Sequence, residues 1–178
     1  MLRTPLDKAH IKRTLRQLYG FTQTTPKDCL LDPSWDRSVD IYPGMVVMNK
    51  ASASSGAGDV VTLIDGTGVP YGLIGMYIAP VYGIDEVRDQ GINSVAVWTL
   101  TPDSEFEVLA PAFDEEATWT FPTDGTELLA HAQTTGADRG RLVPAGTAND
   151  TAKPVCRVLS RPATDRLIIS GLLVGNAY

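Results

Sequence analysis

The side chains best suited to metal or redox chemistry are few in this sequence and lie far apart. It contains two histidines and two cysteines: His10, His131, Cys29 and Cys156. A zinc site needs three or four His, Cys or carboxylate ligands at suitable spacing, and neither C-x-x-C nor H-E-x-x-H occurs. We therefore predict no metal site and no cofactor. We interpret the two cysteines as free thiols, and a single bridge between them is the alternative.

Acid–base or nucleophilic catalysis also finds little support in the residue pattern. The densest acidic cluster is Asp114-Glu115-Glu116. Paired carboxylates roughly 5–10 Å apart across a cleft can hydrolyse glycosidic bonds, but adjacent acids in a loop are more typical of a solvated face. No G-x-S-x-G elbow occurs, and we predict a flexible small-residue loop around Ser54-Ser55-Gly56. We predict no catalytic residue; a hydrolase using one of the three acids is the rival hypothesis.

Three glycines, Gly66, Gly68 and Gly72, resemble a phosphate-binding loop at first sight. Their spacing is G-x-G-x-x-x-G, one residue longer than the dinucleotide pattern, and no helix follows. Because glycine accepts positive φ, the run Asp65-Gly66-Thr67-Gly68 is instead interpreted as a hairpin turn.

The charge of the chain is distributed unevenly. Residues 1–27 hold six basic residues against one acidic residue, a net charge of +5, and since the whole chain carries −6 the remainder carries −11. An acidic body repels phosphates, so we predict no nucleic-acid partner. A basic segment can instead bind an acidic protein surface, including that of a neighbouring copy.

Apolar stretches are too short to indicate a membrane partner. No segment reaches the roughly 18 consecutive apolar residues of a membrane span. The first residues also lack the apolar stretch of a secretory signal, so we expect a soluble protein made in the cytosol.

Residues 4–19 show the pattern of an amphipathic helix. Thr4 and Pro5 suit its first positions, and Gly20 suits its end. Two stripes recur at helical spacing: a basic stripe of Lys8, Lys12 and Arg16, and an apolar stripe of Ile11, Leu15 and Leu18. This helix could pack on its own domain, dock on a partner protein, or contact nucleic acid or a membrane.

Residues 20–44 are rich in turn formers and predict an extended connector, with Trp35 and Tyr42 as apolar anchors. A helix on a tether can reach a neighbouring molecule. We predict that five residues bind a partner or neighbouring subunit: Lys8, Lys12, Arg13, Arg16 and Trp35.

From residue 45 onward the pattern is that of β-structure. Short strands with Gly, Pro or Asp between them are predicted at 45–48, 59–64, 70–78, 94–100, 106–109, 118–121, 128–132, 141–143, 155–160 and 167–174. About ten short strands at such spacing indicate a mainly β protein, a sandwich or barrel. Residues 84–90 could form one or two helical turns. We predict two parts: a basic helix and extended arm over 1–42, and a β-rich domain over 43–178.

The β-rich part, from about Pro43, resembles the decoration or cement proteins of tailed-bacteriophage heads. The residues that carry this resemblance lie in five stretches: 42–47 (YPGMVV), 59–72 (the DVVTL strand leading into GTGVPYG), 91–98 (GINSVAVW), 126–129 (TELL) and 140–144 (GRLVP), followed by a closing β-hairpin.

The resemblance implies a catalytically inert virion protein that is assembled in the bacterial cytoplasm. It implies binding to the major capsid protein on the outer surface of the capsid, stabilised contacts between capsid subunits, and a homotrimer. The alternative is a tail-tube or head–tail connector protein, which forms rings of six or more copies. A nucleic-acid-binding module that uses the basic residues is a further rival, and it predicts salt-sensitive binding.

Overall fold

Residues 15–19, 26–36, 38–39, 41–50, 59–75 and 94–172 are described by a computed structural model. These residues form eleven strands and no helix. The strands are β1 Leu15–Tyr19, β2 Pro26–Leu31, β3 Val46–Asn49, β4 Val60–Leu63, β5 Pro70–Ile74, β6 Ser94–Trp98, β7 Glu105–Leu109, β8 Leu128–Ala132, β9 Leu142–Pro144, β10 Cys156–Ala163 and β11 Arg166–Ser170.

Six strands form an antiparallel sheet in the order β1-β7-β11-β10-β8-β9. Side chains alternate between its faces, so Phe106 and Val108 of β7 point into the core while Glu107 points away from it. The segment around Ala112 and Asp114 covers the β9 edge of this sheet. Leu142 of β9 donates its backbone N–H to Ala112 O (3.0 Å), and its carbonyl accepts the backbone N–H of Asp114 (2.9 Å).

The other five strands close into a small barrel in the order β2-β4-β3-β5-β6. The pairing of β2 with β4 is parallel, and the other pairs are antiparallel. Its interior is filled by buried apolar side chains, among them Val47, Val61, Val97 and Trp35. The β-branched residues pack well on a curved, pleated surface of this kind.

The barrel packs against the sheet through a second, larger core. Val46, Ile64 and Leu73 of the barrel segment lie in one cluster with Phe106 and Phe113 of the sheet. Trp98 and Phe106 meet edge to face, with their ring centroids 5.6 Å apart. The mainly β prediction is confirmed, with a barrel and an open sheet packed together.

The predicted helix over residues 4–19 is wrong for residues 15–19, which form β1; residues 4–14 lie outside the described part. Leu15 lies opposite Val108 and Arg16 lies opposite Glu107 on β7. Pairing with β7 buries Leu15 in the larger core. Short helices are marginal without tertiary packing, so the strand pairing overrides the local helical pattern.

The predicted connector over 20–44 contains strand β2, which the sequence pattern did not predict. Because β2 lies between β4 and β6, it is a structural part of the barrel. The division into residues 1–42 and 43–178 stays a prediction, with β1 and β2 both paired to strands of the second part.

The predicted strands downstream of residue 45 are confirmed within the described residues, with small shifts of their ends, except for 118–121. That segment is not a strand, because Trp119 turns inward against Phe113 and donates its indole N–H to Asp114 O at 2.8 Å. Residues 76–78 of the predicted strand 70–78 and residues 173–174 of the predicted strand 167–174 lie outside the described part. Residues 51–58 and 84–90 lie outside the described residues.

Candidate functional site

Within the described residues, the histidine and the two cysteines make contacts inside the protein. His131 Nδ1 lies 2.6 Å from Thr151 O. Cys29 lies in the barrel core and Cys156 in the larger core, both as free thiols. Burial raises the pKa of each thiol and so disfavours the reactive thiolate. Within the described ranges, no three His, Cys, Asp or Glu side chains come close enough to hold a metal ion; His10 lies outside those ranges.

The acidic triplet forms a tight loop whose backbone is fixed from two sides. Asp114 Oδ1 accepts backbone N–H groups of Glu116 (3.0 Å) and Ala117 (3.2 Å). The Arg161 guanidinium donates to Glu115 O at 2.6 Å and to Ala117 O at 3.4 Å. Glu115 and Glu116 are exposed. This arrangement supports the interpretation of the triplet as a solvated face.

The glycine run is a turn, but the prediction of a hairpin is wrong. It joins β4 to β5, which lie on opposite sides of β3. Asp65 Oδ1 holds the turn by accepting Thr67 N (2.9 Å) and Gly68 N (2.6 Å). The turn passes over the end of β3, since a Cβ added to Gly68 would lie 2.2 Å from Met48 Sδ. Gly68 does not have a positive φ, and the flexible end of the Met48 side chain is what a larger residue would displace.

Of the predicted partner-binding residues, Lys8, Lys12 and Arg13 lie outside the described residues, and Arg16 lies on β1. Arg16 Nε is 3.0 Å from Glu107 Oε2, and 54 % of its side chain is exposed. Arg166 Nη1 approaches the other oxygen of the same carboxylate at 3.1 Å. Arg16 thus neutralises a largely buried carboxylate and still presents half of its surface to solvent.

Trp35 lies inside its own barrel. It is 3 % exposed and donates its indole N–H to Val39 O at 3.3 Å. Tyr42 packs against both cores, and burial raises the pKa of its hydroxyl. Both residues therefore anchor the 33–42 segment to this chain itself, and little of Trp35 remains for a partner to contact.

Two polar clusters on the barrel were not predicted from the sequence. Buried Asp32 pairs with Lys50 Nζ at 2.7 Å and accepts two hydrogen bonds from Ser34. Asp59 pairs with Lys27 and accepts the Tyr71 hydroxyl at 2.7 Å. Asp-x-Ser is a local turn signal that could have pointed to the first cluster. The second joins residues from three strands or strand ends, and no local pattern reveals it.

The large apolar side chains that stay exposed in the described part are candidates for partner contacts. They are Tyr19, Val69, Phe121 and Leu159. Tyr19 is 66 % exposed and ends the strand that carries Arg16. Aromatic residues and arginine are enriched at protein interfaces, so the end of β1 is the part of the described surface best suited to bind a protein.

The described residues form a β-rich fold in which the buried carboxylates of Asp32 and Glu107 pair with basic side chains of the same chain. A family model described as "Phage cement protein" matches residues 1–174, and the chain therefore belongs to that family. This membership confirms the predicted resemblance to head cement proteins and makes the chain a capsid-associated structural protein.

A solved structure shares this fold. It is a chain from "The capsid of Myoviridae Phage XM1", 12 % identical in sequence with a TM-score of 0.54. The match covers 94 % of this chain and 97 % of that one. At this identity the likeness concerns the fold alone. No curated protein sequence matches the chain.

Proposed function

We propose that the protein binds the outer surface of the phage capsid through the major capsid protein and stabilises contacts between capsid subunits. The observation that carries this proposal is the family match, which extends over residues 1–174. The protein acts by binding and not by catalysis, and its place is the virion after assembly in the bacterial cytoplasm. The solvated acidic loop at Asp114 supports the non-catalytic part of the proposal.

The basic N-terminal residues provide the attraction to the shell. Residues 1–27 carry +5 while the rest of the chain carries −11, so an acidic capsid surface would repel the body and attract this segment. Lys8, Lys12 and Arg13 supply charge, and Arg16 adds its exposed half. Tyr19 on the same strand adds an exposed aromatic ring. Many weak contacts of this kind sum over a symmetric shell through a high effective concentration.

The protein is proposed to act as a homotrimer. The alternative, a tail-tube or head–tail connector protein, forms rings of six or more copies, and the family match favours the cement protein. Native mass spectrometry separates the two: a mass three times the 19.1 kDa of the chain supports the trimer, and six times that mass or more supports the ring.

Co-sedimentation with expanded empty heads of the source phage tests the capsid proposal. The wild-type chain is expected to bind at a fixed ratio to the major capsid protein. The charge-reversal variant K8E/K12E/R13E is expected to bind about tenfold more weakly. The single reversal K12E is compared with K153E, a reversal at an exposed lysine of the body, as its matched control. If the wild-type chain does not bind, the proposal is wrong.

A deletion of residues 1–14 is the matched truncation, because β1 begins at Leu15 and its pairing with β7 is thereby retained. Equal binding by this truncation and the full chain would assign the contacts to the body and not to the basic segment. Binding of DNA that is lost at about 0.5 M salt would instead support the nucleic-acid rival.

A further inference from the structure

One loop of the six-stranded sheet, residues 133–141 between β8 and β9, reaches across to the barrel. Its base continues the β8–β9 ladder, because Gln133 N donates to Arg141 O and Gly140 N donates to Gln133 O, both at 2.8 Å. Arg141 N donates to Asp138 O at 2.9 Å and closes its tip. The loop is therefore held in place by the sheet before it touches the barrel.

Two hydrogen bonds join this loop to neighbouring barrel segments. Gly140 O accepts the backbone N–H of Val46, at the start of β3, at 2.8 Å. Arg139 Nε donates to the backbone O of Ile64, directly after β4, at 2.5 Å. The register of β3 and β4 pairs Val47 with Leu63, so its continuation places Val46 opposite Ile64.

Val46 and Ile64 are the residues that would form the next rung of the β3–β4 ladder. In antiparallel strands every second pair is hydrogen-bonded, and Lys50 N donates to Val60 O at 2.8 Å. The pair of Lys50 and Val60 is therefore a hydrogen-bonding pair. The next such pairs towards the start of β3 are Met48 with Thr62 and then Val46 with Ile64. The Val46 N–H and the Ile64 carbonyl are instead bonded by Gly140 and Arg139, which take the place of that rung.

The close approach of the loop requires glycine at position 140. Gly140 has φ +89°, and a Cβ added there would lie 2.7 Å from Met45 Cγ and 2.9 Å from Val46 O. Any larger residue would push the loop away from the backbone of β3. This position is constrained both by its left-handed conformation and by the space available.

The Arg139 guanidinium also lies in the field of two carboxylates on the barrel side. The Thr67 hydroxyl chiefly lowers the pKa of Asp65, and Arg139 adds to this effect. Ser38 chiefly lowers the pKa of Asp36, and Arg139 again contributes. Arg139 is therefore attracted to the barrel electrostatically as well as through Ile64.

We propose that Arg139 and Gly140 form a latch that fixes the barrel on the six-stranded sheet by replacing one rung of the β3–β4 ladder. The latch adds a polar link to the apolar core that the barrel and the sheet share. Without it, the Val46 N–H and the Ile64 carbonyl are free to bond to each other, and β3 and β4 open locally more often than the strands of the sheet.

The test compares R139M with the matched control R157M in the full chain, by amide hydrogen exchange. Methionine has no N–H donor, whereas glutamine would place an amide N–H at the position of Arg139 Nε and could keep the bond to Ile64 O. Arg157 lies on β10 and pairs with Glu127 within the sheet. R139M is expected to speed amide exchange in β3 and β4 by about tenfold without doing so in β10 and β11, and R157M is expected to leave β3 and β4 unchanged.

Two further variants test the two contacts of the loop separately. R139Q keeps an N–H donor at the position of Nε but loses the charge, so it is expected to protect β3 and β4 better than R139M does. G140A is expected to act more strongly than R139M, and if it fails to fold, R139M decides. Exchange of the Val46 amide in R139M equal to that in R157M would overturn the latch.

Discussion

Arg16 and Glu107 lie directly opposite each other on β1 and β7, with Arg16 Nε 3.0 Å from the Glu107 carboxylate. The Glu107 side chain is only 9 % exposed although it points away from the core, and Arg166 covers its other oxygen. A carboxylate that is this poorly hydrated loses stabilising contacts with water, and the two arginines replace them. Arg16 therefore has a structural role within the sheet in addition to any contact with the capsid.

Substitution of this carboxylate is expected to cost more than substitution of either arginine. E107Q should lower the free energy of unfolding by about 1–3 kcal/mol, because the amide has no negative charge and would turn its NH2 group towards one of the two guanidinium groups. R16Q should cost about 1 kcal/mol or less, since Arg16 is half exposed and Arg166 remains. Urea unfolding of both variants measures the difference; an equal loss would mean that Arg166 does not share the carboxylate.

Trp35 is expected to stabilise the barrel without contributing to capsid binding. W35A should lower the free energy of unfolding by about 3–5 kcal/mol through the cavity it leaves. W35F should cost about 1 kcal/mol, mainly because the hydrogen bond to Val39 O is lost. Thermal unfolding and head co-sedimentation are measured together. If W35F keeps its stability but binds heads about tenfold more weakly, the predicted partner contact would be correct after all.

The buried pair of Asp32 and Lys50 predicts a specific loss of stability in acid. Burial by itself would raise the pKa of Asp32, but hydrogen bonds from Lys50 and Ser34 outweigh it and lower this pKa to about 2. Because the folded-state pKa lies below the unfolded value, the stabilisation is complete above about pH 4 and is lost as the pH falls towards 2. It amounts to about 2–3 kcal/mol.

D32N removes this contribution, so its stability should change less between about pH 4 and pH 2 than that of the wild-type chain. D28N is the matched control, because Asp28 lies exposed on β2, the strand that Asp32 directly follows. Chemical denaturation at a series of pH values gives both profiles. A D32N profile parallel to that of the wild-type chain would contradict the role of Asp32.

Closure of the barrel is expected to depend on Gly72. A Cβ added to Gly72 would lie 2.4 Å from the backbone O of Trp98 on β6, so G72A must push β5 and β6 apart. This overpacking should lower the free energy of unfolding by about 1–3 kcal/mol or more. A Cβ added to Gly66 would meet no atom within 4 Å. The free energy of unfolding of G66A should therefore stay within about 0.5 kcal/mol of the wild-type value. Equal stability of the two variants would show that β5 can shift at little cost.

Local pattern was sufficient for most strands of the β-rich part, although not for β2 or for residues 118–121. The strand at Leu128–Ala132 was predicted with its observed ends, and the mainly β class followed from many such segments. Alternating apolar and polar side chains report strand structure directly, because successive side chains point to opposite faces. The lack of ligand-type spacing among His10, His131, Cys29 and Cys156 was also readable from the sequence alone.

The sequence by itself thus determined the β class, the uneven charge and the resemblance to cement proteins. Only the tertiary structure decided that residues 15–19 pair with β7, that β2 completes a barrel, and that Trp35 lies inside it. It also brought Arg139 to Ile64, 75 residues away in the chain. The physical reason is that long-range pairing and burial contribute more free energy than local propensity, so partners distant in sequence decide what an ambiguous segment becomes.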